Sequence, residues 1–272
     1  MSGPVLKLNL LLYLGRLILL TLGIPVACGL LVGLFSRLFS VLLGGRSGRV
    51  FDVTSIIGTP VHELGHAVMC PIFGHRIRRI KLWTPKPDDG VYGFVEHTYN
   101  RRNLWARLGN LFIALGPIFS GLGVTVLMLH LCFPAEWSAY LSATHALSAT
   151  IATPKEIVVG VFSLFASIPR AFASDWLRAL LGLLVIMPVS LHITLSWQDV
   201  RSGASAVPLY LVLLAVFGSI TLGFGVSGDV TATLYLVNLR LLSLFCLVAA
   251  FSLLWVLIAL LVRAVRAIAS WF

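Results

Sequence analysis

Apolar and polar residues alternate in long blocks along this chain. Apolar runs occupy about residues 8–35, 53–73, 108–133, 176–197, 207–226 and 234–262. About 20 consecutive apolar residues cross a bilayer as a helix, so the pattern predicts six transmembrane helices. Arg16 sits near the start of the first run, and Gly23-Ile24-Pro25 predicts a kink within it. A basic loop with Arg37, Arg46 and Arg49 is expected to follow. The polar stretch 74–106 reads as a β-hairpin. Its arms, 77–83 and 91–99, are β-prone, and Pro85 to Gly90 supply turn chemistry. Residues 155–173 carry Val158, Val161, Phe162, Phe165 and Ile168 at helical spacing between Lys155 and Arg170. We expect this helix to lie in the interface or re-enter the membrane; if it spans, the orientation of everything after it reverses. No internal repeat is present.

Composition narrows the class. Of 272 residues, 58% are hydrophobic and 11% charged, and the mean hydropathy is +0.98. Soluble domains carry roughly 25% charged residues, so a water-soluble enzyme, a disordered chain and a disulfide scaffold are all excluded. The fold class expected is an all-α polytopic membrane protein with a short cytosolic β-hairpin. Cys28, Cys70, Cys132 and Cys246 are far apart, without zinc-knuckle or redox spacing. The first run is too long for a signal peptide and lacks a clear small-residue cleavage site. The net charge of +10 is read as setting orientation rather than binding nucleic acid. Lys7, the cations of 76–107, Arg201, Arg263 and Arg266 fall on one side, twelve in all. Arg37, Arg46, Arg49, Lys155, Arg170 and Arg178 make six on the other. The richer side is expected to be cytosolic, with both termini and the hairpin.

The second apolar run contains His62-Glu63-Leu64-Gly65-His66. On a helix the two histidines lie about 40° apart in azimuth and about 6 Å apart along the axis, a spacing that grips one Zn²⁺. Glu63 stands beside them, where it can take a proton from a water activated by the metal. Chance gives only about 0.003 such matches in a chain of this composition. Ionisable residues inside apolar segments also mark functional interiors; the alternative is a polar patch that locks helices together.

A catalytic zinc needs a third protein ligand. His192, Ser196 and Asp199 fall at i, i+4 and i+7, so a continuous fourth helix puts them on one face. Asp199 is the candidate ligand; otherwise it pairs with Arg201. His192 reads more readily as a packed histidine bonded to a carbonyl. His66 lies about 10 Å inside the membrane and Asp199 near its boundary, so the fourth helix must tilt or its end must be drawn inward by a water-filled cavity. Cys70 continues the histidine stripe, but three ligands in line cannot surround one ion. Glu96 and His97 can fold back from the hairpin, whereas His75, His130 and His145 read as surface or interface residues.

These residues resemble the site-2 protease family of intramembrane zinc metalloproteases, in its bacterial branch. The likeness rests on HELGH in an apolar helix, a β-rich segment after it, GPIFSG at 116–121, and an aspartate ending a later helix. GVYGFVEHTYN, RLGNLFIALGPIFSG and SLHITLSWQD carry it, over about residues 51–203. The resemblance implies that His62, His66 and Asp199 bind zinc and that Glu63 is the general base. Gln198-Asp199-Val200 departs from the family's Leu-Asp-Gly, and Ser120 is the nearest match to its asparagine-containing helper motif. No PDZ-like domain is present. Residues 1–50 then form an N-terminal helix and basic loop, 51–203 the protease core, and 204–272 two further helices. The implied substrate is a transmembrane protein and the implied location a bacterial inner membrane; His192, Ser196, His97 and Ser120 are candidate supporting residues. No oligomeric state is indicated. Two rivals stand beside this reading. A prenyl-protein-type protease would use a glutamate as third ligand, but Glu96, Glu136 and Glu156 lie outside the apolar runs. A non-enzymatic scaffold or transporter with structural zinc would want four ligands and has no need of Glu63.

Overall fold

The structure, a computed structural model, describes residues 3–87, 90–144 and 154–269; His145 lies outside them. Helix α1 (Gly3–Ile18) passes through a π-helical turn (Leu19–Gly23) into α2 (Ile24–Leu43). Pro25 has no N–H for the carbonyl four residues back, and the wide turn sits just before it. The expected basic loop is almost entirely helical. It shrinks to a single 3₁₀ turn, Gly44–Arg46, before α3 (Ser47–Ile72). Gly44 makes that turn possible at φ 60°, a value that favours glycine. The chain reverses here. Phe39 and Phe51 would be about 18 Å apart along one helix, yet their ring centroids are 6.0 Å apart.

Strands β1 (Arg76–Lys81) and β2 (Phe94–Thr98) pair antiparallel, with an irregularity between Ile77 and Arg79. The hairpin is present but does not stand clear of the helices. Its outer part folds back along α3: Trp83 Nε1 donates to Ser55 Oγ at 2.9 Å and the Tyr92 hydroxyl to Asp52 at 2.8 Å. Residues 52–72 cover about 30 Å of helix. These two bonds tie the outer part of the hairpin to the first half of α3.

Then follow α4 (Leu104–Cys132), α5 (Pro134–Thr144), α6 (Pro154–Ser174), α7 (Trp176–His192), α8 (Trp197–Ala204), α9 (Val207–Gly223) and α10 (Ser227–Ala269). Among the described residues, four helical runs are long and apolar enough to cross a membrane: Asn9–Ile72, Leu104–Cys132, Lys155–Ser174 and Ser227–Ala269. The bent pair α7 and α8 makes a fifth. The count of six spans is thus not confirmed. The first run joins two of them across the Gly44 turn, and α9 is short at 17 residues. Residues 155–174, expected in the interface, have the length and hydropathy of a span, which removes a premise of the orientation argument.

The three stretches expected as domains share one core. Val32 of α2, Ile118 of α4, Val189 of α7 and Phe245 and Val248 of α10 pack in a single cluster. Helices α3 and α4 touch backbone to backbone: a Cβ on Gly65 would lie 2.5 Å from the Gly116 carbonyl carbon. This contact brings HELGH against GPIFSG.

Candidate metal centre

His62 and His66 project from one face of α3, with ring centroids 5.1 Å apart. Asp199 meets them from α8, where Oδ1 is 3.1 Å from His66 Nε2 and Oδ2 is 3.8 Å from His62 Nε2. One ligand atom from each residue lies within 4.8 Å of the others. Donor atoms around a tetrahedral zinc sit about 3.3 Å apart, so the triad fits such an ion with only a small adjustment.

Each ligand is oriented by backbone. His62 Nδ1 donates to the His192 carbonyl at 3.0 Å, and His66 Nδ1 donates to the Ile113 carbonyl at 2.7 Å. In the neutral ring each of these bonds leaves Nε2 as the unprotonated nitrogen, the arrangement that suits a metal ligand. Ile113 is four residues before Pro117, which lies inside α4. Proline has no N–H to bond that carbonyl, so it is open to His66. Ser196 and Asp199 form a reciprocal cap at the start of α8. Asp199 N donates to Ser196 Oγ at 3.1 Å, and Ser196 N donates to Asp199 Oδ2 at 2.9 Å. Asp199 turns to these groups and the histidines, and no Arg201 pair forms among the described contacts.

The continuous fourth helix is overturned. Helix α7 stops at His192, residues 193–196 are not helical, and α8 departs at 60°. His192, Ser196 and Asp199 do not share a helix face. The break, rather than a tilt, carries Asp199 inward to the depth of HELGH. The His192 ring packs under Gly58, where a Cβ would lie 2.4 Å from ring carbon Cδ2, and bonds Thr54 Oγ1 at 3.1 Å. It is a packed histidine whose backbone carbonyl, not its ring, supports His62. Ser120 Oγ donates to the Val61 carbonyl at 2.8 Å and so ties α4 to α3 beside the motif.

Glu63 is 7% exposed and lines a cavity of about 300 Å³ with His62, His66, Asp199, Ser196 and His97. The hairpin covers it. A Cβ on Gly93 would lie 2.9 Å from Glu63 Cγ, so only glycine lets the strand approach so closely. A comparison of the chain with family models, with characterised proteins and with solved structures finds no match. The site is therefore read from its own chemistry.

That chemistry includes a residue read as surface from the sequence. His75 is 4% exposed. Its Nε2 donates to the Ala106 carbonyl at 2.7 Å, its Nδ1 lies 2.9 Å from His97 Nδ1, and Tyr99 stacks on its ring. Burial, then the neighbouring His75 and His66, push the His97 imidazole down to about 4, so it is neutral at neutral pH. The sequence offered no signal for this pair, which meets only through the strand register and the turn after α3. Glu96 faces outward and bonds Arg79. His130 is exposed, and the four cysteines are free.

Proposed function

We propose that this chain is an intramembrane zinc metalloprotease of the site-2 type, which hydrolyses peptide bonds within or beside transmembrane segments of membrane proteins. One observation carries the reading: His62, His66 and Asp199 converge from two separate helices while Glu63, between the histidines in sequence, stays outside the ligand set and lines the same cavity. A structural ion has no use for that carboxylate. A closed structural site would also draw a fourth ligand, and among the described residues the cluster has three.

When bound, zinc would polarise the scissile carbonyl and acidify a water. Glu63 takes the proton of the attacking water and hands it to the leaving amine. Asp199 and the two imidazoles hold the metal, with their orientation fixed by the backbone bonds described above. The cavity supplies water from the hairpin side. An apolar groove of about 430 Å³ reaches Asp199 from the other, walled by Leu22, Val26, Leu111, Leu195 and Val207, and suits a lipid-soluble helix. A helical substrate hides its carbonyls in its own hydrogen bonds, so the cut segment must unwind, and β2 offers an edge to an extended strand. We place the protein in a bacterial inner membrane.

The test pairs metal content with turnover. Purified protein is expected to hold one zinc per chain, lost in His62→Ala, His66→Ala and Asp199→Ala. Glu63→Gln is expected to keep zinc and lose about 10²–10⁴ in rate on a transmembrane reporter peptide with a central Gly-Pro break. Equal zinc in all variants, or unchanged turnover in Glu63→Gln, would refute the reading.

A further inference from the structure

His97 belongs to no ligand set, yet its ring lines the cavity that holds Glu63, His66 and Asp199. The strand explains its direction. Successive residues of a strand face opposite sides; Glu96 turns outward to Arg79, so Val95 and His97 turn inward. A relay of two hydrogen bonds then sets its protonation. His75 Nε2 donates to the Ala106 carbonyl, which leaves Nδ1 of the neutral ring as an acceptor. His97 Nδ1, 2.9 Å away, must donate to it. Nε2 of His97 is therefore an acceptor, and it is the ring's remaining polar atom on a cavity-lining side chain.

A peptide drawn across the site needs such an atom. Its carbonyls find the metal side, but a buried N–H without a partner is unfavourable. The cavity's carboxylates, Glu63 and Asp199, are committed to proton transfer and to the ion, and its other polar side chains, Ser196, Gln198 and Ser202, come from the α8 side, whereas His97 comes from the hairpin. We propose that His97 is a substrate-binding residue whose Nε2 accepts a hydrogen bond from a backbone N–H of the peptide lying across the metal centre. His75 is the positioning residue that fixes its tautomer. The proposal rests on the peptidase reading of the site.

Two substitutions separate this role from a structural one. Asparagine sets its amide nitrogen near the place of Nδ1, so His97→Asn keeps the bond to His75 and removes the cavity acceptor. Glutamine sets its amide oxygen near the place of Nε2, so His97→Gln keeps the acceptor and gives up the bond to His75. The probes are a leucyl-peptidyl hydroxamate, which carries peptide N–H groups, and acetohydroxamate, which has the metal-binding group alone. Each is titrated calorimetrically into the zinc-loaded full chain in detergent. His97→Asn is expected to weaken the peptidyl probe about three- to tenfold and leave acetohydroxamate unchanged, with His97→Gln within about twofold of wild type. If His97→Asn does not fold, His97→Gln against His97→Leu decides, since both lose the His75 bond and only glutamine keeps an acceptor. Equal affinity of the peptidyl probe for the variants with and without an acceptor overturns the proposal while leaving the peptidase reading intact. Parallel weakening of both probes overturns it too, because the effect then lies at the metal. Failure of both hydroxamates to bind the zinc-loaded wild type removes the peptidase reading and the proposal with it.

Discussion

Pro117→Ala tests whether a missing backbone donor orients His66. Pro117 lies inside α4 and leaves the Ile113 carbonyl without its helical partner; His66 Nδ1 takes that carbonyl at 2.7 Å. Alanine restores an N–H at the position that closes the helix, pulls the carbonyl into the helical ladder and competes with the imidazole. Two effects of opposite sign follow. Proline inside a helix costs about 3 kcal/mol relative to alanine, so the metal-free variant is expected to melt no earlier than wild type. Loss of a partner behind a metal-bound histidine costs typically 10–100-fold in affinity, or about 1.4–2.7 kcal/mol. The assay is competition for zinc against a chromophoric chelator, run beside a thermal melt of the metal-free protein. Pro188→Ala in α7 is the control: it restores a helical donor to a carbonyl that holds no ligand. The reasoning is refuted if Pro117→Ala binds zinc like wild type while remaining folded, or if Pro188→Ala weakens zinc to the same extent.

Two further outcomes can be measured. Gly65→Ala would set a Cβ 2.5 Å from the Gly116 carbonyl carbon, and neither backbone can yield cheaply. Overpacking of this kind costs about 1–3 kcal/mol, so the melting temperature and zinc content should fall together, and an unchanged melt would contradict the close packing. His97, held at about 4 in the fold against 6.5 in the unfolded chain, makes folding acid-sensitive. As pH falls from 6.5 toward 4 the unfolded chain takes up a proton that the folded ring refuses, so stability is lost on acidification. His97→Asn should lose less stability than wild type between pH 7 and 4.5, and parallel curves would count against a buried neutral ring.

The parts of this molecule that depend on local pattern were legible in its sequence. HELGH lies on α3, and the β-prone arms 77–83 and 91–99 hold most of β1 and all of β2. What escaped was the outcome of competition between segments. Ile193 to Ser196 contain no glycine or proline, so hydrophobic periodicity runs straight through the break. The available signal was Ser196 three residues before Asp199, an N-cap with an acid at the third position, which starts a new helix. The basic loop dissolved for another reason. Charge does not imply a loop, and Arg37 rides on α2 until Gly44 ends it. His75 and His97 are 22 residues apart and meet through the turn after α3 and the strand register together, which no spacing rule encodes.

The site is assembled from interruptions of helices. In an apolar surrounding every polar group must be satisfied within the protein, and an unbroken helix spends its carbonyls and amides on itself. His66 is served by the carbonyl that Pro117 leaves free. The His192 carbonyl at the end of α7, which has no helical i+4 partner and also accepts from Thr194 N at 2.9 Å, serves His62. For Asp199 the unpaired amide of Ser196 ahead of α8 does the same. Three defects in three places thus provide the oriented dipoles that two neutral imidazoles and a carboxylate require. Straightening any one of them would improve the helix and degrade the candidate metal centre. That opposition between helix stability and ligand orientation is what Pro117→Ala measures directly, since it changes the backbone donor and leaves all three ligand side chains in place.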